Sequence, residues 1–188
     1  MTPESNRNYN QIAEPTNVVI AEIQKEIEES PTFGPLVLTE RFNIKIEKSI
    51  PPEYQTDQEI IGFLDHQDNH TTLYMPENLD FTQWREVVLK SVLRYIRIKE
   101  KSPQANFSSK IYPHESPLTS PEEYLYDLEA AEKFLASEKK IENACCGTYN
   151  IRGITKTIAE GIIVSPKIAE NRLIKLCKLP LLLEEIIE

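Results

Sequence analysis

Basic side chains are the scarce charge in this sequence: 21 Lys and Arg stand against 30 Asp and Glu, a net charge of −9 and a pI near 5.0. Attraction to phosphate needs a basic face, so the composition argues against a protein that coats nucleic acid or lies on a membrane surface. The imbalance is uneven. Residues 1–150 carry 15 basic against 25 acidic side chains and residues 151–188 carry 6 against 5, so an anionic partner meets the C-terminal part more easily. Cysteine is also scarce. Cys145, Cys146 and Cys177 form no C-x-x-C pair, which removes the common zinc and dithiol signatures. Adjacent cysteines bridge only through a distorted peptide unit, so Cys145 and Cys146 read as reduced, small apolar residues. No apolar run reaches the ~18 residues of a membrane span, no signal-peptide pattern opens the sequence, and the expected location is the cytoplasm. With five glycines there is no Gly-rich phosphate loop, and neither a G-x-S-x-G nor a Cys/His pair of interpretable spacing occurs.

What is present is one long periodic segment. Over residues 80–101, Trp84, Val88, Val92, Tyr95 and Leu89, Leu93, Ile96 recur at three- and four-residue spacing, which predicts a helix with a wide apolar face. Lys90, Arg94, Arg97 and Lys101 fall on a separate stripe. Asp80 or Thr82 supplies a cap, Ser102-Pro103 ends the helix, and the single tryptophan is expected to be substantially buried.

Around it, residues 1–15 are polar and read as a loose tail. Thr16 onward predicts an amphipathic helix stopping before Pro31, Leu36-Val-Leu38 extends helically, and Phe42, Ile44, Ile46 alternate as a strand. Residues 60–64 and 71–75 predict a hairpin whose turn is 65–70, placing His66 and His70 in a surface loop despite their metal-like spacing. Residues 102–120 read as a long surface loop. A second helix begins at Ser120-Pro121-Glu122-Glu123, with Tyr124, Leu128, Ala131, Phe134 and Leu135 on one side. Two short helices follow at about 151–160 and 166–176, and the apolar stretch 179–187 packs on the body or on a partner.

This order, together with three local matches, resembles the ImmA/IrrE family of zinc metallopeptidases, which cleave or relieve repressors. The family's strand, turn and Arg leading into H-E-x-x-H are similar to Leu73-Tyr-Met75, residues 77–82 and Arg85 here, but the H-E-x-x-H positions read Lys90-Ser91-Val92-Leu93-Arg94. Its E-A-N-x-F-A helix looks like Ala130-Ala131-Glu132-Lys133-Phe134-Leu135, with the third ligand falling on Ala130 and Glu129 beside it. Ile158-Ala159, Val164-Ser165 and Arg172-Leu173 are similar to the family's I-A-x-x-F-x-V-S … R-L run. The resemblance covers about residues 16–176. It implies an α+β fold with zincin-like helices, a small antiparallel sheet and a C-terminal helix-turn-helix-like part: a metallopeptidase-like unit over 16–147 and a helical subdomain over 148–188.

The departures decide the expected chemistry. Two histidines four residues apart grip zinc on one helix face while the Glu between them takes a proton from bound water. An ammonium and a guanidinium have no free lone pair near neutral pH, so the sequence implies a non-catalytic relative with no metal and no cofactor. The leading function is a regulator that binds a protein partner, a repressor or a mobile-element regulator, at a degenerate cleft marked by Lys90, Arg94, Arg97 and Glu129. Two outcomes are open: internal acids neutralise Lys90 and Arg94 and close the cleft, or both stay wet and steer in an acidic partner. The stripe also reads as a solvated helix face, with Glu86 and Lys90 an ordinary i, i+4 pair. The alternative function is DNA binding through Arg152, Lys156, Lys167, Arg172 and Lys175.

Overall fold

A computed structural model describes residues 16–29, 34–55, 59–114, 116–145 and 154–176. Helix α1 (Thr16–Glu29) buries Val19, Ile20, Ile23 and Ile27, the three- and four-residue spacing of one face. The short helix α2 (Leu36–Arg41) precedes strand β1 (Ile44–Glu47), then strands β2 (Gly62–Gln67) and β3 (His70–Tyr74) form a hairpin. Helix α3 (Phe81–Lys101) and strand β4 (Phe107–Ile111) follow. Helix α4 (Pro121–Ala130) runs into a single π-helical turn, Ala131–Leu135, and helices α5 (Glu138–Cys145), α6 (Ile154–Ile162) and α7 (Pro166–Lys175) complete the described chain. None of the described helices is long and apolar enough to cross a membrane.

The fold is mixed α+β, with a four-stranded sheet in the order β1-β3-β2-β4. The sheet departs from the expected antiparallel arrangement at one place: β1 runs parallel to β3, while β2 is antiparallel to both its neighbours. The hairpin turn is two residues, Asp68-Asn69, both at positive φ (49° and 67°), the conformation that matches the twist of paired strands. The strands therefore reach further into the expected turn, and His66 lies inside β2, 3% exposed, rather than in a surface loop. His70 opens β3 and is exposed. The expected 102–120 loop likewise contains β4, a five-residue strand whose Ser-Ser-Lys centre hides the alternation.

One face of the sheet carries Leu64, Leu73, Ile44 and Ile111 against α3 and closes the main core with α1, α2 and α4. On the opposite face Tyr54 stacks on Phe63 at 4.1 Å, within a smaller cluster of Ile50, Ile60, Phe63 and Tyr112. The N-terminus of α3 is fixed reciprocally. Gln83 N–H donates to Asp80 Oδ1 (2.8 Å) and Asp80 N–H to Gln83 Oε1 (3.2 Å), a capping box that settles the start of the helix. Trp84 is only half-buried, stacked on exposed Phe81.

The expected second helix is interrupted. Ala136 N–H donates to the Ala131 carbonyl, five residues back, at 2.8 Å, so the π turn inserts one residue and α5 starts afresh after Ser137. Its buried side is Tyr126, Asp127, Ala130, Ala131 and Phe134, not the side of Tyr124 and Leu128. Helix α6 lies slightly later than the expected 151–160, α7 falls where the second helix is expected, and Ser165 caps α7 through Ile168 N–H. The expected loose tail 1–15 and the stretch 179–187 lie outside the described residues.

Candidate functional site

Lys90 and Arg94, one turn apart on α3, are both fully buried (0% exposed), as is nearly all of Asp127 (2%) on the facing helix α4. Lys90 Nζ lies 2.7 Å from Glu86 Oε1 and 3.3 Å from Asp127 Oδ2, and donates to the Tyr112 carbonyl at 3.1 Å. Arg94 meets Asp127 Oδ1 through Nε (2.9 Å) and Nη2 (2.7 Å). Its Nη1 donates to Ser109 Oγ (2.8 Å) and the Lys110 carbonyl (2.7 Å) and lies 3.2 Å from Glu123 Oε1. Ser109 in turn donates to Glu123 Oε1 at 2.6 Å. Glu86 Oε1 and Arg94 Nη2 make their closest contacts as ion pairs rather than as well-angled hydrogen bonds. Burying an ammonium or guanidinium unpaired costs several kcal/mol, and here each cation has a buried carboxylate and a backbone carbonyl.

The carbonyls involved belong to the sheet edge. The two-residue turn makes Gln67 and His70 a hydrogen-bonded pair, so alternation along β2 gives Phe63 and Asp65 to β3 and Gly62, Leu64 and His66 to β4. By the same register the carbonyls of Ser108 and Lys110 turn away from β2, toward the open edge. Successive residues i and i+4 on a helix rise about 6 Å, and i and i+2 on a strand about 6.7 Å. Lys90 and Arg94 therefore span Tyr112 and Lys110 in step, and the helix closes that part of the edge with two charged donors.

A zinc site does not fit this arrangement. Lys90 and Arg94 are donors whose hydrogens already point at carboxylates and carbonyls, and Ser91 Oγ donates to the Val87 carbonyl (2.7 Å). Among the described residues no group of three or more His, Cys, Asp or Glu is placed to hold a metal ion. His66 Nδ1 is 2.8 Å from Thr71 Oγ1, and its ring stacks on Phe107. Burial first, then the charge of Lys99, pushes its pKa down, as for a neutral core histidine.

The remaining expected residues are dispersed. Arg97 is bidentate to Glu129 at 2.9 and 2.5 Å and also pairs with Glu100, so Glu129 serves Arg97 and not Lys90 or Arg94. Lys101 is exposed and pairs with Glu122. Arg152 lies outside the described residues. Lys156 and Lys167 are exposed, with loose pairs to Glu160 (3.9 Å) and Glu170 (3.7 Å). Arg172 is buried, donating to the Ala136 carbonyl (3.0 Å) and to Glu132 (3.2 Å), and Lys175 pairs with the same Glu132.

Sequence reading missed Asp127, the carboxylate on which the network turns, along with Glu123 and Ser109. The signal available was positional: Asp127 stands among Ala130, Ala131 and Phe134 at helical spacing, an acid on the apolar side of its helix. Glu86 was visible as the i−4 partner of Lys90, but spacing does not say whether such a pair is wet or dry. Comparison of the chain with family models, with curated proteins and with solved structures gives no match.

Proposed function

We propose that this chain is a non-catalytic regulator that holds a protein partner, on a metallopeptidase-like scaffold whose metal position has passed to an internal ion network. One observation carries the reading: the positions aligned with H-E-x-x-H hold Lys90 and Arg94, both at 0% exposure and both neutralised from within. Water activation needs an open coordination position and a base beside it. A closed, charge-matched cluster supplies neither. The scaffold half of the reading is supported by the element order, with a hairpin leading into the long helix and an edge strand between that helix and the next. A repressor or a mobile-element regulator is the partner class that the resemblance implies.

The test is elemental analysis and a peptidase assay on protein purified without chelator. The expected result is no stoichiometric zinc and no cleavage. One tightly held equivalent of zinc, or cleavage that chelation removes, overturns the reading. The DNA-binding alternative has less support, because Arg172 is buried and shares Glu132 with Lys175, while Lys156, Lys167 and Lys175 remain exposed but each pairs with a glutamate.

A further inference from the structure

The withdrawn cations of this protein fall into two groups. Arg41, Lys90, Arg94, Arg97 and Arg172 each have a carboxylate oxygen within 3.2 Å. Arg85 on α3 and Lys140 on α5 have no carboxylate at ion-pair distance among the described residues; nor has half-buried Lys99, which donates to the Pro103 carbonyl at the other end of α3. Arg85 is 9% exposed, and its Nη1 donates to the Ile162 and Ile163 carbonyls at 3.2 and 2.8 Å. Lys140 is half-buried and donates to the Phe134 carbonyl at 3.2 Å. Burial, then the charge of Arg85, pushes the Lys140 pKa down to about 8, against an opposing pull from Glu28. Burial likewise lowers the pKa of Arg85. Among the described residues Arg85 and Lys140 are thus held by carbonyls and not by a carboxylate at ion-pair distance, with the charge of Glu28 felt at Lys140, an arrangement that a further negative group would stabilise.

Apolar surface adjoins them. Phe81, one turn before Arg85 and on its side of α3, is 60% exposed and stacks on Trp84 with centroids 5.9 Å apart. Ile163, whose carbonyl Arg85 holds, is 42% exposed at φ 55°, a left-handed conformation that β-branched residues rarely adopt.

From this juxtaposition we infer that the corner formed by Arg85, Lys140, Phe81, Trp84 and Ile163 docks an acidic segment of a partner protein, with a carboxylate at the cations and an apolar side chain on the rings. The inference rests on the protein-binding reading above and names its surface. It moves the acidic dock from Lys90 and Arg94, whose charges are matched internally, to Arg85 and Lys140, which have no carboxylate at ion-pair distance among the described residues. Charge complementarity selects an acidic segment, since a basic one meets repulsion there and a neutral one leaves both charges unmatched.

The probe is a fluorescein-labelled peptide Leu-Glu-Leu-Glu-Glu-Leu, with its glutamine counterpart, titrated against the full chain by fluorescence anisotropy. The glutamate peptide is expected to bind about tenfold tighter than the glutamine peptide, and to weaken as salt rises. Lys140→Glu weakens it by about tenfold, whereas Lys139→Glu, at an exposed neighbour, leaves it unchanged. Phe81→Ser weakens it as well, and all three variants melt as the parent does. Equal binding of the two peptides, or unchanged binding by Lys140→Glu, overturns the inference. Stronger competition by inorganic phosphate than by acetate replaces the acidic segment with a phosphoryl ligand. Self-association that Lys140→Glu abolishes, without peptide binding, makes the occupant a second copy. Either outcome overturns the assignment. The zinc and peptidase measurements report on the scaffold alone, so failure of that reading is distinguishable from failure of this one.

Discussion

Arg94 grips Asp127 Oδ1 through two nitrogens, at 2.9 and 2.7 Å, across a space from which both side chains are almost wholly excluded from water. Asp127 also faces Lys90 at 3.3 Å, so one carboxylate answers two buried cations and ties α4 to α3. Asp127→Ala removes that answer and leaves both charges in a dry site. The expected loss is about 3–5 kcal/mol, read as a shift in the urea midpoint. A stability equal to the parent contradicts the network as described.

Reversing the cations tests the same network from the other side. Lys90→Glu with Arg94→Glu places two further carboxylates beside Glu86, Glu123 and Asp127, and the expected outcome is loss of the folded state in thermal melts. Replacing Lys90, Arg94 and Asp127 together by Met, Leu and Leu removes charge and partner at once. That triple variant is expected to retain or exceed parental stability, as apolar substitutes for buried ion clusters do.

Gly62 is required by packing. A Cβ there meets Val87 Cγ1 at 2.6 Å and Ile111 at 3.5 and 3.6 Å, and the stiff, β-branched Val87 on α3 has no room to turn away. Gly62→Ala is expected to destabilise by about 1–3 kcal/mol. Val87→Ala in the same chain should recover part of the loss, giving a favourable coupling in a double-mutant cycle. Additive losses rule out this contact as the cause.

His66 predicts acid sensitivity. Its pKa is lowered from the ordinary 6.5 by burial and by Lys99, so the folded state holds it neutral while the unfolded chain takes up a proton near that value. Its contribution to stability is therefore complete above pH 6.5 and is lost as pH falls through that value toward the lower folded pKa. Urea midpoints at stepped pH and the His66 ring resonances check this. A ring that titrates above 6.5 in the folded protein refutes it.

Ile163 carries backbone strain at the end of α6. Replacing it by glycine removes the clash of Cβ in the left-handed region and is expected to stabilise the chain by about 1 kcal/mol. The substitution leaves untouched the carbonyl that Arg85 holds. A rise in melting temperature accompanied by weaker binding of the glutamate peptide is the expected pair of observations.

The sequence by itself determined the elements whose signals are local. The apolar spacing of α1, α3 and α7, the Ser120 cap, the choice of Asp80 or Thr82 at the start of α3 and the hairpin before it follow from side-chain period and from which residues satisfy free backbone N–H groups. It also showed that Lys90 and Arg94 cannot ligate zinc, because their donor chemistry is independent of fold. The sequence did not reveal β4 or the π turn. The Ser-Ser-Lys centre of β4 becomes a strand only when β2 offers its edge, and nothing in the local residue pattern marks the single-residue insertion after Ala130. Above all, sequence left open whether Lys90 and Arg94 were wet or dry. Burial of a charge is decided by whether carboxylates distant in sequence arrive beside it. Asp127, 33 residues from Arg94, is brought there only when α4 folds across α3 and the edge of β4, so the neutral interior of this basic pair is a property of the tertiary structure alone.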